Sequence, residues 1–256
     1  MIGAPGRIGL VGAAGRVIAA AAPAELVLPS AVVSCRHWWS AEAGITETAG
    51  AVSSWADVIG SLAAVQATGA SQPIFSATGF NGTEPGVTAD GVDDFLESVG
   101  TGSLPSGDAD SVIMVRLVDT ASQADADLAR GILGWGGSTA GSSRDVRRAA
   151  VSGVSRARAF AGTTGAVTET ATSLLGKHYV TARKAGTTLA VGVDGGAEAT
   201  AVIAAQTTGT TLARIFAAAS GATDTGFKGS VSDIGIFAAA SLTGGDLTNM
   251  NAFFGR

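Results

Sequence analysis

The sequence of 256 residues predicts an all-β protein built as a sandwich of two antiparallel sheets. The chain holds 37 glycines and only 14% charged residues, a composition that suits short strands joined by tight turns. Candidate strands are short and numerous, and turn residues separate them. Apolar residues at helical spacing occur convincingly in one segment, close to the C-terminus.

The strand predictions rest on alternation and on apolar runs. TLAVGVDG (188–195) alternates larger apolar residues with small or polar ones, as a half-buried strand does. HYVTARKAGTT (178–188) precedes it, and the two predict a hairpin. SVIMVRLVD (111–119) is apolar on both faces apart from Arg116, which predicts a central strand between two layers. TLARIFAAA (211–219) and KGSVSDIGIFA (228–238) add further strands.

A short helix is predicted at the C-terminal end, in SLTGGDLTNMNAFFGR (241–256). Thr243 followed by Asp246 fits a helix-start signal. Leu247, Met250 and Phe254 then recur at helical spacing. We expect this helix to pack as a lid on the sandwich.

The first 28 residues differ from the rest of the chain. They are rich in glycine and alanine and carry few large side chains that could build a core. We therefore expect an extended N-terminal arm over 1–28 and one β-sandwich domain over 29–256. Such an arm needs a second surface to order it, which predicts docking onto another subunit or a larger assembly. The arm residues expected to make this contact are Arg7, Ile8, Leu10, Arg16 and Val17.

Charge and composition exclude several classes of function. The net charge of −5 argues against nonspecific nucleic-acid binding, which needs a dense basic face. No apolar run reaches the roughly 20 residues that span a bilayer, so we expect no membrane segment. His37 and His178 lack partners at zinc-ligand spacing. Cys35 and His37 would share one face of a strand, but a single cysteine–histidine pair at this spacing is weak evidence for a reactive thiol. We expect Cys35 to be an inert buried thiol. We expect no cofactor.

Acidic residues cluster in turn-like surroundings rich in glycine, serine and alanine. The first cluster contains Asp93, Asp94 and Glu97, and turn capping explains it best. A calcium ion at Asp93 and Asp94 is the alternative, which would need six or more converging oxygen ligands. We therefore expect no metal site. The other acidic pairs are Asp108 with Asp110 and Asp125 with Asp127.

Several motifs follow one another in a recognisable order after the arm. WWSAEAG contains Trp38, and SSWAD contains Trp55 and Asp57. An Ala- and Thr-rich piece then ends in the Gln-Pro pair at 72–73, and DGVDDFL (90–96) forms a turn. This order resembles the concanavalin A-like lectin/glucanase fold, in the laminin-G-like version common in phage and bacterial surface proteins. The resemblance extends to the closing strand and helix, whereas 119–176 matches nothing.

The resemblance implies a concanavalin A-like jelly roll. It also predicts which of the two adjacent tryptophans, Trp38 or Trp39, lies in the core. Neighbouring side chains of a strand point to opposite faces, so Trp38 and Trp39 cannot share one core. The resemblance places Trp38 in the core and leaves Trp39 more exposed. Glucanases of this fold carry a Glu-x-Asp-x-Glu strand, and the chain has no such triplet. The chain is therefore expected not to be an enzyme.

From these features we expect a non-enzymatic structural protein of a phage virion. It would be an accessory or decoration protein of the head or tail, or a fibre component, and it would be assembled in the host cytoplasm. Its arm would dock on capsid or tail proteins, its sandwich would project for host adsorption, and it could form a homo-oligomer. The alternative is a carbohydrate-binding module that recognises cell-surface polysaccharide. A polysaccharide-degrading enzyme is a second alternative, which the missing carboxylate pair disfavours.

A glycan site would need flat aromatic faces and hydrogen-bonding groups along a groove. Aromatic residues make up only 5% of the chain, and few of them are expected outside the core. The arginines of 144–158 are either a solvated strand face or a docking surface for an acidic partner or a glycan acid. The candidate carbohydrate-binding residues are Trp39, Trp135, Tyr179, Arg144 and Arg147.

Overall fold

The fold is taken from a computed structural model, which describes residues 26–120, 130–136, 143–151, 154–161, 167–206, 212–219 and 226–256. The predicted arm lies outside the described residues apart from its last three positions. Arg7, Ile8, Leu10, Arg16 and Val17 therefore lie outside them, and so do Asp125 and Asp127.

The described chain consists mainly of antiparallel strands and ends in a single short α-helix, which confirms the all-β class. In chain order the elements are β1 (Cys35–Ser40), β2 (Ile45–Thr48), β3 (Ala51–Trp55), β4 (Ala64–Val65), β5 (Ile74–Phe80), β6 (Glu84–Asp90), β7 (Leu96–Ser98), β8 (Ser111–Asp119), β9 (Arg130–Gly136), β10 (Ser143–Val151), β11 (Val154–Ala161), β12 (Val167–Ser173), β13 (Gly176–Ala185), β14 (Thr188–Val193), β15 (Ala199–Val202), β16 (Arg214–Ile215), β17 (Lys228–Phe237) and α1 (Gly244–Phe254). Short 3-10 turns lie at Pro29–Ala31 and Gly69–Ser71. None of the helices in these ranges is long and apolar enough to span a membrane.

The predicted strands occur where the sequence pattern places them. β13 and β14 form the expected hairpin, with Ala185 paired to Thr188 across its turn. β8 is a central strand, because it pairs with β13 on one side and with β17 on the other. The segment 211–219 contributes only the two-residue strand β16.

The strands form one hydrogen-bonded sheet that is organised as two rows. The first row runs β5-β6-β17-β8-β13-β14-β15, and β1 pairs with β17 beyond the end of β6. The second row runs β2-β3-β4-β7-β16-β9-β10-β11-β12. In the described part of the chain, the rows are joined by the pairing of Ala51 with Ile74. The sheet is therefore continuous and barrel-like, where the sequence predicted two separate sheets.

The main hydrophobic core lies between the two rows. Val115 and Val180 enter it from the first row, and Trp55, Ile132 and Trp135 enter it from the second. All five side chains are at most 2% exposed. Burial of this apolar surface holds the rows together, because each Å² removed from water contributes about 25 cal/mol of favourable free energy.

β1 contains a bulge that decides where its side chains point. Cys35 pairs with Phe237 and His37 pairs with Ile236, so Arg36 is an extra residue that has no partner in β17. Such an insertion shifts the alternation of the strand by one position. Cys35 and His37 therefore face opposite sides of the sheet, which corrects the expectation that they share a face.

The two adjacent tryptophans are both buried, in different hydrophobic clusters. Trp39 is fully buried in the main core, where its indole Nε1 donates to the carbonyl oxygen of Leu62 at 3.1 Å. Trp38 is 7% exposed and lies on the outer face of the first row. The expectation that Trp38 is the core residue and Trp39 the exposed one is wrong, because β1 turns the second ring inward.

α1 covers the outer face of the first row. Phe253 packs edge-on against Trp38, with 5.7 Å between the ring centroids. Met250 and Phe254 complete this second cluster and are buried, whereas Leu247 is 40% exposed at the rim. The helix begins as predicted after Thr243, although the hydroxyl of this residue makes no capping hydrogen bond.

Candidate active site

The aromatic residues proposed for glycan binding are not on the surface. Trp39, Trp135 and Tyr179 are at most 5% exposed. The indole Nε1 of Trp135 donates to the carbonyl oxygen of Pro105 at 2.9 Å, and Tyr179 lies in the cluster beneath α1. The expectation that these three rings are exposed is wrong, because the packing between and outside the rows uses them. A sugar ring has no open face of theirs to stack on.

The two candidate arginines are also tied into the fold. Arg144 is 7% exposed and donates to Ser111 Oγ at 2.6 Å and to the carbonyl oxygen of Gly107 at 2.7 Å. Arg147 donates to Asp145 Oδ2 at 3.0 Å, and its guanidinium carbon lies 4.7 Å from the ring centroid of Phe160. These contacts brace neighbouring strands, and they leave neither guanidinium as an open docking group.

A different group of polar side chains meets at one end of the sheet, around His37. β1 supplies His37, the loop after β3 supplies Asp57, and the loop after β7 supplies Ser103. His37 Nδ1 lies 2.6 Å from Asp57 Oδ2, and His37 Nε2 lies 3.3 Å from Ser103 Oγ. A hydroxyl, an imidazole and a carboxylate in this order form the relay that activates a serine nucleophile.

The carboxylate of Asp57 is fixed from several sides. Its Oδ1 accepts the backbone N–H groups of Trp38 and Ile59, each at 3.0 Å. Burial alone would raise the pKa of Asp57, but hydrogen bonds from His37 and from the backbone N–H groups of Trp38, Gly60 and Ile59 outweigh it and hold the pKa below its usual value. Asp57 is therefore ionised near neutral pH and accepts a hydrogen bond from the N–H at His37 Nδ1.

The imidazole of His37 is held in one orientation. It is 2% exposed and stacks on Trp39, with the ring centroids 5.7 Å apart and the planes inclined by 25°. Because Asp57 binds the protonated Nδ1, the lone pair of Nε2 is left to accept the hydroxyl proton of Ser103. The geometry makes Nε2 a general base directed at an exposed serine.

Ser103 lies in an exposed loop, within reach of a substrate. Within the described ranges, the backbone N–H groups of Gly102 and Ser103 have no hydrogen-bond acceptor. Gly102 adopts a φ of +49°, in the left-handed region. Consecutive N–H groups beside a left-handed residue form an anion-binding concavity, so they can stabilise a developing oxyanion.

Two glycines keep the space around the imidazole open. A Cβ on Gly60 would overlap Asp57 Oδ2 and lie 3.0 Å from His37 Nδ1. A Cβ on Gly102 would lie 3.1 Å from His37 Cε1, at a backbone conformation that side chains rarely adopt. Both positions therefore require glycine for the three polar groups to meet.

Cys35 takes no part in this site. Burial and the negative charge of Asp57 raise the pKa of its thiol to about 12. A thiol with this pKa holds almost no thiolate at neutral pH. The structure agrees with the expected inert thiol.

The acidic turn is a compact structural element. Carboxylate oxygens of Asp90, Asp93 and Asp94 lie within 4.8 Å of one another. Asp94 Oδ2 accepts the backbone N–H of Asp90 at 2.9 Å, and burial together with its two charged neighbours raises the pKa of Asp94. Glycosidases place their two carboxyl groups about 5 Å or more apart, on either side of a bond. Groups packed around one turn leave no room for a sugar between them.

Two of the three residues, His37 and Asp57, stand in a recognisable sequence context, but the sequence does not show that all three meet. His37 lies two residues after Cys35, and Asp57 belongs to the Trp-x-Asp motif. Ser103 carries no motif of its own, and it contacts a histidine 66 positions away in the chain. The one available signal is the sequence GTGS, whose glycines are typical of a backbone that approaches its neighbours closely.

Comparisons with known proteins give relatives of the fold only. No family model matches the chain, and no curated protein matches it. Among solved structures, the Trypanosoma rangeli sialidase in complex with 2,3-difluorosialic acid is similar, with a TM-score of 0.57 and 14% identity over 87% of this chain and 33% of that chain. The same sialidase in complex with sialic acid gives a TM-score of 0.56 and 15% identity, with the same coverage.

An arabinofuranosidase complexed with arabinofuranosyl-alpha-1,2-xylobiose is also similar. Its TM-score is 0.55 and its identity is 11%, over 80% of this chain and 50% of that chain. The chain therefore spans a third of the sialidase chain and half of the arabinofuranosidase chain. At these identities the likeness shows the fold.

These structures correct two predictions made from the sequence. The similar solved structures include a sialidase and an arabinofuranosidase, which are glycosidases and not components of a phage virion. The prediction of a non-enzymatic phage structural protein is therefore wrong, and so is the prediction that the chain is not an enzyme. The missing Glu-x-Asp-x-Glu triplet excluded one arrangement of catalytic carboxylates and left other chemistries open.

Proposed function

We propose that the protein is a hydrolase that cleaves acyl esters of carbohydrates. Ser103 is the nucleophile, His37 the general base, and Asp57 the group that orients and stabilises the imidazole. The observation that carries this proposal is the continuous hydrogen-bonded order Ser103–His37–Asp57, with distances of 3.3 and 2.6 Å. Separations at the longer end of hydrogen-bond range are usual for such groups before a substrate binds.

Acylation follows from this arrangement. Ser103 Oγ attacks the carbonyl carbon of the ester while its proton passes to His37 Nε2. The carbonyl oxygen takes up the negative charge, which the N–H groups of Gly102 and Ser103 are placed to stabilise. The bond from the carbonyl carbon to the sugar oxygen then breaks. His37 gives its proton to that oxygen, so the sugar leaves as an alcohol and the acyl group remains on Ser103.

Deacylation reverses these roles with water as the nucleophile. His37 Nε2 takes a proton from a water molecule, whose oxygen attacks the acyl carbon. The ester bond to Ser103 breaks and the proton returns to Ser103 Oγ. One ester and one water thus give one alcohol and one carboxylic acid.

The carbohydrate part of the proposal rests on the fold. The similar structures include a sialidase with sialic acid and an arabinofuranosidase with an arabinofuranosyl-xylobiose. The acidic turn lacks the spacing of the glycosidases that use two carboxyl groups, whereas the Ser103–His37–Asp57 relay suits ester cleavage. An acylated sugar is the substrate class that fits both observations.

We also propose a place for this sheet among the concanavalin A-like jelly rolls. Two rows of antiparallel strands that face each other across one core support this assignment. The bridge between Ala51 and Ile74 would then be a local join at one edge of a sandwich. The resemblance of the Trp-x-Asp and Asp-Gly motifs supports the same assignment.

The test is hydrolysis of acetylated sugars, followed as acetate release. We expect activity in the native chain and its loss, by at least about 10³-fold, in Ser103→Ala. Ser106→Ala is the matched control, because this serine lies in the same loop and makes no contact with His37. A fluorophosphonate should label the native protein at Ser103 and leave Ser103→Ala unlabelled.

Two results would overturn the proposal. One is an absence of both ester hydrolysis and fluorophosphonate labelling in a folded native chain. The other is full activity in Ser103→Ala, which would place the nucleophile elsewhere.

A further inference from the structure

A cavity of about 300 Å³ lies on the outer face of the first row, beside α1. It has the size at which pockets for small organic molecules begin. Its floor is apolar and its wall is polar. The lining residues are Val112, Met114, Thr181, Arg183, Glu198, Ser241, Leu242 and Leu247.

The apolar side of the cavity belongs to the cluster under α1. Val112, Met114 and Leu242 are at most 7% exposed and form a fixed floor. Leu247 stands at the rim and is 40% exposed. A ligand with an aliphatic face would cover this apolar floor and so remove it from water.

The polar wall is a closely paired cation and anion. Arg183 Nε lies 3.0 Å from Glu198 Oε1 and 2.8 Å from Oε2, and Arg183 Nη2 lies 2.6 Å from Oε2. The side chains are only 24% and 30% exposed, and the hydrogen bond to Glu198 raises the pKa of Arg183. The raised pKa keeps Arg183 charged, and the pair presents hydrogen-bond donors and acceptors side by side.

These features select one class of ligand. An anion would have to compete with Glu198 for Arg183. A lipid chain would take the ion pair out of water and offer it no hydrogen bonds in return. A neutral sugar has an aliphatic face for the floor and hydroxyl groups that both donate and accept. The hydroxyls of Thr181 and Ser241 add two groups of the same kind.

We propose that this cavity binds a single neutral monosaccharide unit, through the Arg183–Glu198 pair and the apolar floor beneath α1. The site is separate from Ser103 and does not depend on hydrolysis there.

The test is titration of the full chain with neutral monosaccharides, glucose, galactose, xylose and arabinose, followed by NMR of the methyl groups of Met114 and Leu247. We expect saturable shifts for at least one sugar. Glu198→Gln should weaken binding about tenfold, because it removes a charged acceptor and unpairs Arg183. Leu247→Ala should weaken binding by a smaller factor. Alanine favours the helical conformation, so this substitution leaves α1 intact.

Glu97→Gln is the matched control. Glu97 forms a similar half-exposed pair with Arg214, at 2.6 Å between Oε2 and Nε, on β7 and β16. Its substitution should leave sugar binding unchanged. Ser103→Ala should also leave binding unchanged, so failure of the hydrolase proposal and failure of this one give different results.

The proposal is overturned if none of the four sugars gives saturable shifts in the native chain. Equal weakening by Glu97→Gln and Glu198→Gln would also overturn it, since the effect would then be general destabilisation.

Discussion

At the scale of single residues, Asp57 is the group on which the relay depends. It binds His37 Nδ1 and thereby determines which nitrogen of the imidazole faces Ser103. Asp57→Asn keeps the size of the side chain but offers an amide in place of an acceptor-only carboxylate. Rotation of that amide can favour the other tautomer, which protonates Nε2.

We therefore expect Asp57→Asn to lower kcat for ester hydrolysis by about 10³- to 10⁴-fold, with little change in KM. Steady-state kinetics on an acetylated sugar measures both constants. The circular dichroism spectrum of the variant confirms that it is folded. An unchanged kcat would show that Asp57 is only a structural acceptor.

The lowered pKa of Asp57 also predicts how stability depends on pH. A carboxyl whose pKa is lower in the folded chain adds stability above its unfolded pKa, near 3.9, and this contribution is lost as pH falls through the folded pKa. The difference in Tm between the native chain and Asp57→Asn should therefore be largest above about pH 5 and shrink toward pH 3. Thermal melts over this range provide the measurement. A difference that grows as pH falls would contradict the sign.

At the scale of elements, α1 contributes to stability through its buried face. Phe253 is fully buried and contacts Trp38 and Phe254, at centroid separations of 5.7 and 5.2 Å. Phe253→Ala should lower the free energy of unfolding by about 3–5 kcal/mol, because it leaves a cavity between helix and sheet. Denaturant titration measures the loss. Leu247→Ala, on the exposed side of the same helix, should change it by at most about 0.5 kcal/mol.

Elements with strong local patterns could be predicted from the sequence. The alternation of Leu189, Val191 and Val193 gave β14, and the spacing of Met250 and Phe254 gave α1. The bulge at Arg36 has no local signature, because it depends on the pairing of β1 with β17. For this reason the faces of Cys35 and of the two tryptophans could not be predicted.

The candidate site was harder to predict than the elements. His37, Asp57 and Ser103 come from three separate segments, and the two loops that carry Asp57 and Ser103 meet β1 only in the folded chain. The glycan residues proposed from the sequence failed for a related reason. With aromatic residues at 5% of the chain, the core claims most of the large rings, and composition alone does not tell which remain outside.

At the scale of the whole molecule, one core holds two rows of strands whose backbones join at Ala51 and Ile74. Trp39 lies in that core from the first row, and Trp55 and Trp135 lie in it from the second. Because the rows share their buried surface, we expect them to unfold together. Tryptophan fluorescence and far-ultraviolet circular dichroism should give the same midpoint in guanidinium. Two separated transitions would show that each row is stable by itself.

The extra residue in β1 makes the strand tolerant of length variation at one point. Since Arg36 has no partner in β17, its removal would leave Cys35 and His37 facing the sides they face now. Homologous chains could thus lose a residue there and keep the imidazole inside. A single deletion between His37 and Ser40 would instead exchange inner for outer side chains in the remainder of the strand. An alignment of homologous chains should show gaps before the histidine and none directly after it.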